Sequence, residues 1–290
     1  MTRLPEYLKR PIIDTDKTKT VRKILKTKCL NTVCDGARCP NKNECYQHNT
    51  ATFLIMGNVC TRNCKYCNIP TSKPEPLDLD EPKHIAEAIK ELGLDYAVIT
   101  SVTRDDLPDG GAEHFSNCIN EIRTLSPNTK IEILTPDFQI GIKGNKGFNV
   151  ESLNKIIDSK PDVFNHNIEA ARNIFKTARP LGDYDVSLDV LKYVKDNSDI
   201  ITKSGLMVGL GETVDDIEQT LIDLINVGCD ILTIGQYIQP SKKHMEVSKY
   251  YTLEEFEELK LLAKKVGFKK YQIGPLVRSS YNAKKFAGED

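Results

Sequence analysis

The sequence predicts an α/β protein built as a partial (β/α)6 TIM-type barrel, with a cysteine-rich N-terminal extension and a short C-terminal extension. Three observations predict it. Apolar, strand-like segments alternate six times with amphipathic helix-like segments, at spacings that suit right-handed βαβ units. The 290 residues hold too few repeats for a closed eight-unit barrel, which takes about 250 residues by itself. Chemistry-bearing residues fall just after the apolar segments, where α/β folds collect functional groups. A doubly wound sheet is the alternative, because periodicity does not reveal strand order.

Residues 1–50 show no strand–helix alternation and form the N-terminal extension. KTKTVRKILKTK (17–28) reads as a short helix with Val21, Ile24 and Leu25 on one face and basic residues around them. A solvated face explains those charges; a docking surface for an acidic partner is the sharper alternative. The barrel is expected over residues 51–274. TFLIMG (52–57) is the first strand, and KHIAEAIKELG (83–93) is a helix with Ile85, Ile89 and Leu92 at helical spacing and Gly93 as its stop. YAVITS (96–101), KIEILTPD (130–137), DVFNHN (162–167), SGLMVGL (204–210) and DILTIGQYI (230–238) are the next strands. Between them stand helices at 113–125, 150–159, 187–197 and 214–228. The last long helix, 252–267, opens on a capping box, Thr252 with Glu255. KYQIG (270–274) reads as a short final strand, and residues 275–290 form the C-terminal extension.

Net charge is −1, so bulk electrostatics point neither to nucleic acid nor to a membrane. No apolar run approaches the roughly 20 residues of a bilayer span, and MTRLPEYLKRP lacks the apolar stretch of a signal peptide. A cytoplasmic protein is expected. In that reducing compartment, clustered cysteines serve more often as metal ligands or catalytic groups than as disulfides. Seven of the nine cysteines lie between Cys29 and Cys67. Cys118 and Cys229 sit in apolar contexts that suit buried thiols. Cys29 fits neither cluster spacing.

The six others form two triplets. Cys34, Cys39 and Cys45 are spaced C-x4-C-x5-C; Cys60, Cys64 and Cys67 are spaced C-x3-C-x2-C on the loop after the first strand. Three thiolates can hold a [4Fe–4S] cube while one iron stays open, as catalytic zinc sites keep one position free. A zinc site borrowing His48 or His84, or a redox pair, are the alternatives, although this spacing with Tyr66 before the last cysteine is unusual for zinc.

CTRNCKYC (60–67) resembles the signature of the radical S-adenosylmethionine (SAM) enzymes. GLMVGLGE (205–212) resembles that superfamily's fifth-strand segment beside the adenine, NHNIE (165–169) its ribose contacts, and QYIQP its adenine-facing backbone. With the upstream triplet and Arg278-Ser279-Ser280-Tyr281 near the C-terminus, the whole chain resembles the lipoyl synthase family. The resemblance implies two [4Fe–4S] clusters and SAM as cofactors. Cys60, Cys64 and Cys67 would ligate the radical-generating cluster. Cys34, Cys39, Cys45 and Ser280 would ligate an auxiliary cluster. Asn167, Glu169, Gly209, Glu212 and Tyr237 would contact SAM. Asn167 alone also reads as a helix cap, and Ser279-Ser280 as turn residues.

The implied reaction inserts two sulfur atoms at C6 and C8 of an octanoyl chain on a lysine of a carrier protein, a lipoyl domain or glycine-cleavage H protein. Those carbons bear no acidifying group, so proton abstraction offers no route and a radical is required. Cleavage of SAM at the first cluster would supply the radical, and the auxiliary cluster would supply the sulfur. A ferredoxin- or flavodoxin-type donor would supply electrons to a monomeric enzyme. Departures from the family pattern are NIEAARNIF, which lacks the usual threonine, NKNEC before the third auxiliary cysteine, and Asn68 where an aspartate is usual. Arg278, Arg104 and Lys203 are polar candidates near strand ends, with salt bridges as the plainer reading of all three. The rivals are another radical SAM sulfur-inserting enzyme, such as a methylthiotransferase acting on tRNA, and an iron–sulfur electron carrier. The first would bring an extra nucleic-acid domain, and the second needs no substrate-sized barrel.

Overall fold

The computed structural model describes residues 4–11, 15–48, 50–140 and 147–287. After a 3-10 turn at Glu6–Leu8 come α1 (Asp16–Thr27), β1 (Asn31–Thr32), α2 (Val33–Gly36) and α3 (Lys42–Gln47). The barrel units follow: β2 (Thr52–Ile55), α4 (Glu81–Leu92), β3 (Tyr96–Ser101), α5 (Ala112–Leu125) and β4 (Lys130–Leu134). A small hairpin, β5 (Gln139–Ile140) with β6 (Gly147–Phe148), precedes α6 (Val150–Asp158). Then come β7 (Val163–Asn165), α7 (Arg172–Ala178), α8 (Tyr184–Asn197), β8 (Ile201–Val208), α9 (Val214–Asn226), β9 (Ile231–Gln236), α10 (Leu253–Val266), β10 (Lys270–Gly274) and α11 (Ala283–Ala287).

The main sheet runs β1-β2-β3-β4-β7-β8-β9-β10. From β2 onward every neighbouring pair is parallel; only β1 is antiparallel. Strand order follows chain order without reversal. A doubly wound sheet needs a reversal point, so that alternative is excluded. A sheet wound in one direction keeps its crossover helices on one face and curls around the other. The C-terminal segment measures the curl. The Val277 carbonyl lies where a Gly235 side chain on β9 would go, while Ala283 packs on Tyr96 and Val98 of β3. Those strands are far apart in the sheet, and one short segment touches both from inside.

Strand alternation sets the two faces. Ala97, Ile99, Ile131, Ile133, Phe164 and Ile234 face the helices in the main apolar core. The interleaved Tyr96, Glu132, Asn165 and Lys203 line the interior. Lys203 Nζ sits 2.9 and 3.0 Å from the Glu132 carboxylate, which also accepts from Tyr96 OH at 2.7 Å and Asn165 Nδ2 at 3.0 Å. Lys203 and Glu132 are both buried. Desolvating two charges costs more than a bare ion pair returns, so the added hydrogen bonds are what make the pair tolerable. Lys203 therefore takes the salt-bridge reading. Arg104 does too, pairing with Asp106 at 2.8 and 2.9 Å.

Gly93 caps α4 at φ 65°, and Thr252 with Glu255 forms the capping box of α10. KYQIG forms β10 on the β9 edge. Several details differ from expectation, among them β8, which spans Ile201–Val208 rather than 204–210. The third and fourth strands stop at Leu134 and Asn165, leaving TPD and HN as loop at the barrel mouth. α7 appears inside ARNIFKTA, too short for a clear 3.6-residue period. α2 and α3 are likewise single turns or little more. Cys118 and Cys229 are buried.

Candidate active site: two cysteine loops at the barrel mouth

β2 ends at Ile55, and the chain leaves it through Met56 and Gly57, both at positive φ (66° and 96°). That turn throws Cys60, Cys64 and Cys67 over the C-terminal ends of the strands. Backbone N–H groups point at sulfur: Arg62 N at 3.4 Å and Thr103 N at 3.3 Å from Cys60 Sγ, and Ile69 N at 3.5 Å from Cys67 Sγ. Such donors stabilise negative sulfur and tune a cluster's potential. Burial pushes the Cys67 thiol up to about 12, with Cys64 and Cys60 adding to it. Burial also raises Cys64, against the pull of Arg179. Cys64 and Cys67 are thus each raised in part by their neighbours in the triplet, and a cationic centre would favour their thiolates. Among the described residues no group of three ligand side chains surrounds a single ion. A four-iron cube takes each thiolate on a different iron and so does not require three sulfurs around a single ion. The donor set fits the cluster.

An ion network braces this loop. Arg62 is buried and holds Asp105 at 2.7, 2.9 and 3.2 Å and Asp137 at 2.6 Å. Asp137 also accepts from Arg179 at 3.3 Å. Burial alone would raise the Asp137 carboxyl; Arg62 and Arg179 outweigh it and bring it down to about 2. His166 contacts the Thr135 carbonyl at 3.0 Å through Nδ1. Burial, then Arg179, brings the imidazole down to about 4, so it is neutral at pH 7. Neutral Nδ1 is then the donor, which leaves Nε2 a buried acceptor without a partner among the described residues. Sequence reading passed over Arg62, Asp105, Asp137, His166 and Arg179. The signal was present in charged residues directly after strands and inside the CTRNCKYC loop.

The expected SAM-side residues assemble beside this loop. Asn167 Nδ2 donates to Glu169 Oε1 at 3.2 Å. Glu169 adopts φ 69°, and its backbone bridges β8 at Leu206. Burial raises its carboxyl, while Arg179 and Asn167 hold it down. Gly209 has φ 98°, and an added Cβ would collide with Gln236 and the Lys249 carbonyl, so only glycine serves there. Glu212 has a narrower place than expected. Its carboxylate accepts from Gly209 N at 2.6 Å, Leu210 N at 2.9 Å and Tyr251 OH at 3.2 Å, and so holds the turn itself. Tyr237 donates its hydroxyl to the Met245 carbonyl at 2.8 Å and packs with Ala170, Ala178 and Leu210 against Tyr66. Its side chain is structural, and its backbone N–H is spent on Val208 O at 2.8 Å. His244, which sequence reading did not single out, reaches the Cys67 carbonyl at 2.9 Å and ties the β9–α10 loop to the cysteine loop.

The first triplet lies alongside. Cys34 is buried against β2, where Thr52 hydrogen-bonds its sulfur; burial and then Cys39 push its thiol up to about 12. Burial, with Cys34 and Cys39, does the same to Cys45. The C-terminal segment closes over this loop. Asn41 Nδ2 donates to Leu276 O at 2.7 Å, and Tyr281 OH to Glu44 Oε1 at 2.8 Å. Arg278 feels Cys39 electrostatically. Ser280 therefore sits between two residues that reach the cysteine loop, and its hydroxyl makes no hydrogen bond to the described residues. The two loops also touch: Asn68 Nδ2 donates to Gly36 O at 2.8 Å, and the Ile69 side chain fills the space beside Gly36. An ionised aspartate at 68 has no proton for that carbonyl, so the departure from the family pattern makes a loop-to-loop bond.

Comparison with known proteins agrees with this fold. The Radical SAM superfamily model matches residues 54–224. A lipoyl synthase of Caldicellulosiruptor bescii is 51% identical over 280 residues, 96% of this chain and 94% of that one. One from Caldanaerobacter subterraneus subsp. tengcongensis is 48% identical over 282 residues, 97% and 96% of the two chains. Among solved structures, HydG, a maturase of the [FeFe]-hydrogenase, shares the fold at a TM-score of 0.60 and 13% identity, over 95% of this chain and 60% of that one. Methylornithine synthase aligns at a TM-score of 0.55 and 12% identity, over 88% and 81%. The winding of the sheet, the cysteine loop at its mouth and near-full-length identity to these relatives lead to one conclusion: the chain belongs to the lipoyl synthase family of the radical SAM superfamily.

Proposed function

We propose that this protein inserts two sulfur atoms into an octanoyl chain carried on a lysine of a lipoyl carrier protein, and that the sulfur comes from an auxiliary [4Fe–4S] cluster on Cys34, Cys39, Cys45 and Ser280. Membership of the superfamily brings one [4Fe–4S] cluster and SAM. Cys60, Cys64 and Cys67 are its proposed ligands. When bound, these groups supply a carbon-centred radical for hydrogen abstraction and sulfide for transfer.

The protein's own residues hold and order the parts. N–H groups of Arg62, Thr103 and Ile69 stabilise ligand sulfur. The Arg62–Asp137–Arg179 network keeps the loop in place, and Asn167 with Glu169 receives the ribose. Serine is a weaker ligand than thiolate for iron–sulfur chemistry, so Ser280 suits an iron that must change during turnover. The observation that carries the reading is the meeting of the C-terminal segment with the first cysteine loop, through Asn41–Leu276 and Glu44–Tyr281. An electron carrier has no need of that closure. We divide the chain into an auxiliary-cluster extension (1–50), a radical barrel (51–274) and a C-terminal extension (275–290).

No helix among the described residues is long and apolar enough to cross a membrane. Nine cysteines without a disulfide favour a reducing cytoplasm. A ferredoxin- or flavodoxin-type donor and a lipoyl domain or H protein are the proposed partners. Metal and sulfide analysis tests the reading. About eight iron and eight sulfide per chain are expected from two four-iron clusters. About four of each removes the auxiliary cluster, and zinc without sulfide removes both.

A further inference from the structure

Asn167 stands between the two proposed cofactor sites, and both ends of its amide are engaged. Nδ2 donates to Glu169 on the SAM side. Oδ1 accepts from Ser279 Oγ at 2.7 Å. The meeting place is built by glycine: a Cβ on Gly205 would stand 2.6 Å from Asn167 Oδ1, 2.6 Å from Ser279 Oγ and 2.8 Å from Thr233 Oγ1. Gly235 makes the same kind of room for the Val277 carbonyl. Residues 277–279 are therefore seated in slots cut into β8 and β9. Two residues beyond Ser279, Tyr281 is anchored to Glu44 beside the first cysteine loop. Ser280 hangs between these anchors, one facing SAM and one facing the auxiliary loop.

We propose that Ser279 is a positioning residue that couples the hold of Ser280 on the auxiliary iron to occupancy of the SAM site through Asn167. The inference rests on the proposed roles of Asn167 and Ser280. A ribose hydroxyl donating to Asn167 takes the second lone pair of the amide oxygen that already accepts from Ser279. Sharing that oxygen lengthens the Ser279 bond and frees the next residue to swing from its iron. The weak ligand is then released when the radical source is loaded, and sulfide is kept in place before that. Coupling between two binding events is reciprocal, so removal of the Ser280 ligand tightens SAM binding by the same factor. One neutral hydrogen bond corresponds to a factor of about five.

The test uses the full chain with both clusters reconstituted and follows loss of auxiliary iron to a chelator, with and without SAM. In the unsubstituted protein, SAM accelerates loss about five-fold. In Ser279→Ala the rate is the same with and without SAM. Gly205→Ala wedges Asn167 from Ser279 without deleting either polar group, and it abolishes the acceleration as well; it decides the question if Ser279→Ala does not hold its iron. SAM-dependent loss that persists in either variant at full iron content overturns the coupling. A Mössbauer spectrum of Ser280→Ala unchanged from that of the unsubstituted protein removes the ligand reading on which the coupling stands. That result is separate from the chelator rates.

Discussion

Cys64→Ala is expected to yield a folded protein with about four irons, no cleavage of SAM and no lipoyl product. Cys64 is the middle proposed ligand of its loop, near Tyr66 and within the field of Arg179. Alanine keeps the Cβ and removes one of three thiolates, leaving two ligands for a cube that already has one iron open. The radical source is lost altogether. The target carbons offer no acidic proton, so no residue of the chain substitutes for it. The expected fall in product formation is about a million-fold or more, the scale that separates catalysed from uncatalysed reactions. Mass spectrometry of an octanoyl-lysine peptide, read alongside 5′-deoxyadenosine formation, checks both losses. Product at even a few per cent of the normal rate contradicts the assignment.

Cys34→Ala separates the two halves of the chemistry. Iron again falls to about four, and lipoyl product disappears, while SAM is still cleaved to 5′-deoxyadenosine. The two loops meet through Asn68–Gly36, yet the two sites share none of their proposed ligands, so one can fail alone. Cys34 is buried against Thr52, and losing its sulfur costs about 1–2 kcal/mol of stability, too little to unfold a domain of this size. Activity loss therefore reports chemistry. Lipoyl product from this variant places the sulfur donor elsewhere.

The barrel was legible because its outer face is continuously apolar and its helices are long and periodic, as in α4 with Ile85, Ile89 and Leu92. The cysteine triplets were legible because their ligands are local in sequence. What stayed hidden depends on contacts between distant segments. Asp137 was read as the end of a strand; only the fold shows it held between Arg62 and Arg179. Glu212 and Tyr237 carry the family's motif positions, but their polar atoms are spent on neighbouring backbone. His244 and Asn68 gain meaning from partners 177 and 32 residues away. α7 was missed because seven residues give a helical period little room to show.

The central claim is that the first cysteine triplet holds sulfur that the protein gives away. The most direct measurement is the isotopic mass of the product after the protein is reconstituted with heavy sulfide, freed of excess sulfide, and allowed one turnover with SAM, reductant and an octanoyl-lysine peptide. The account predicts that both inserted sulfur atoms are heavy and that auxiliary iron is lost in step with product. Product carrying light sulfur, or formed while both clusters stay intact, would contradict it.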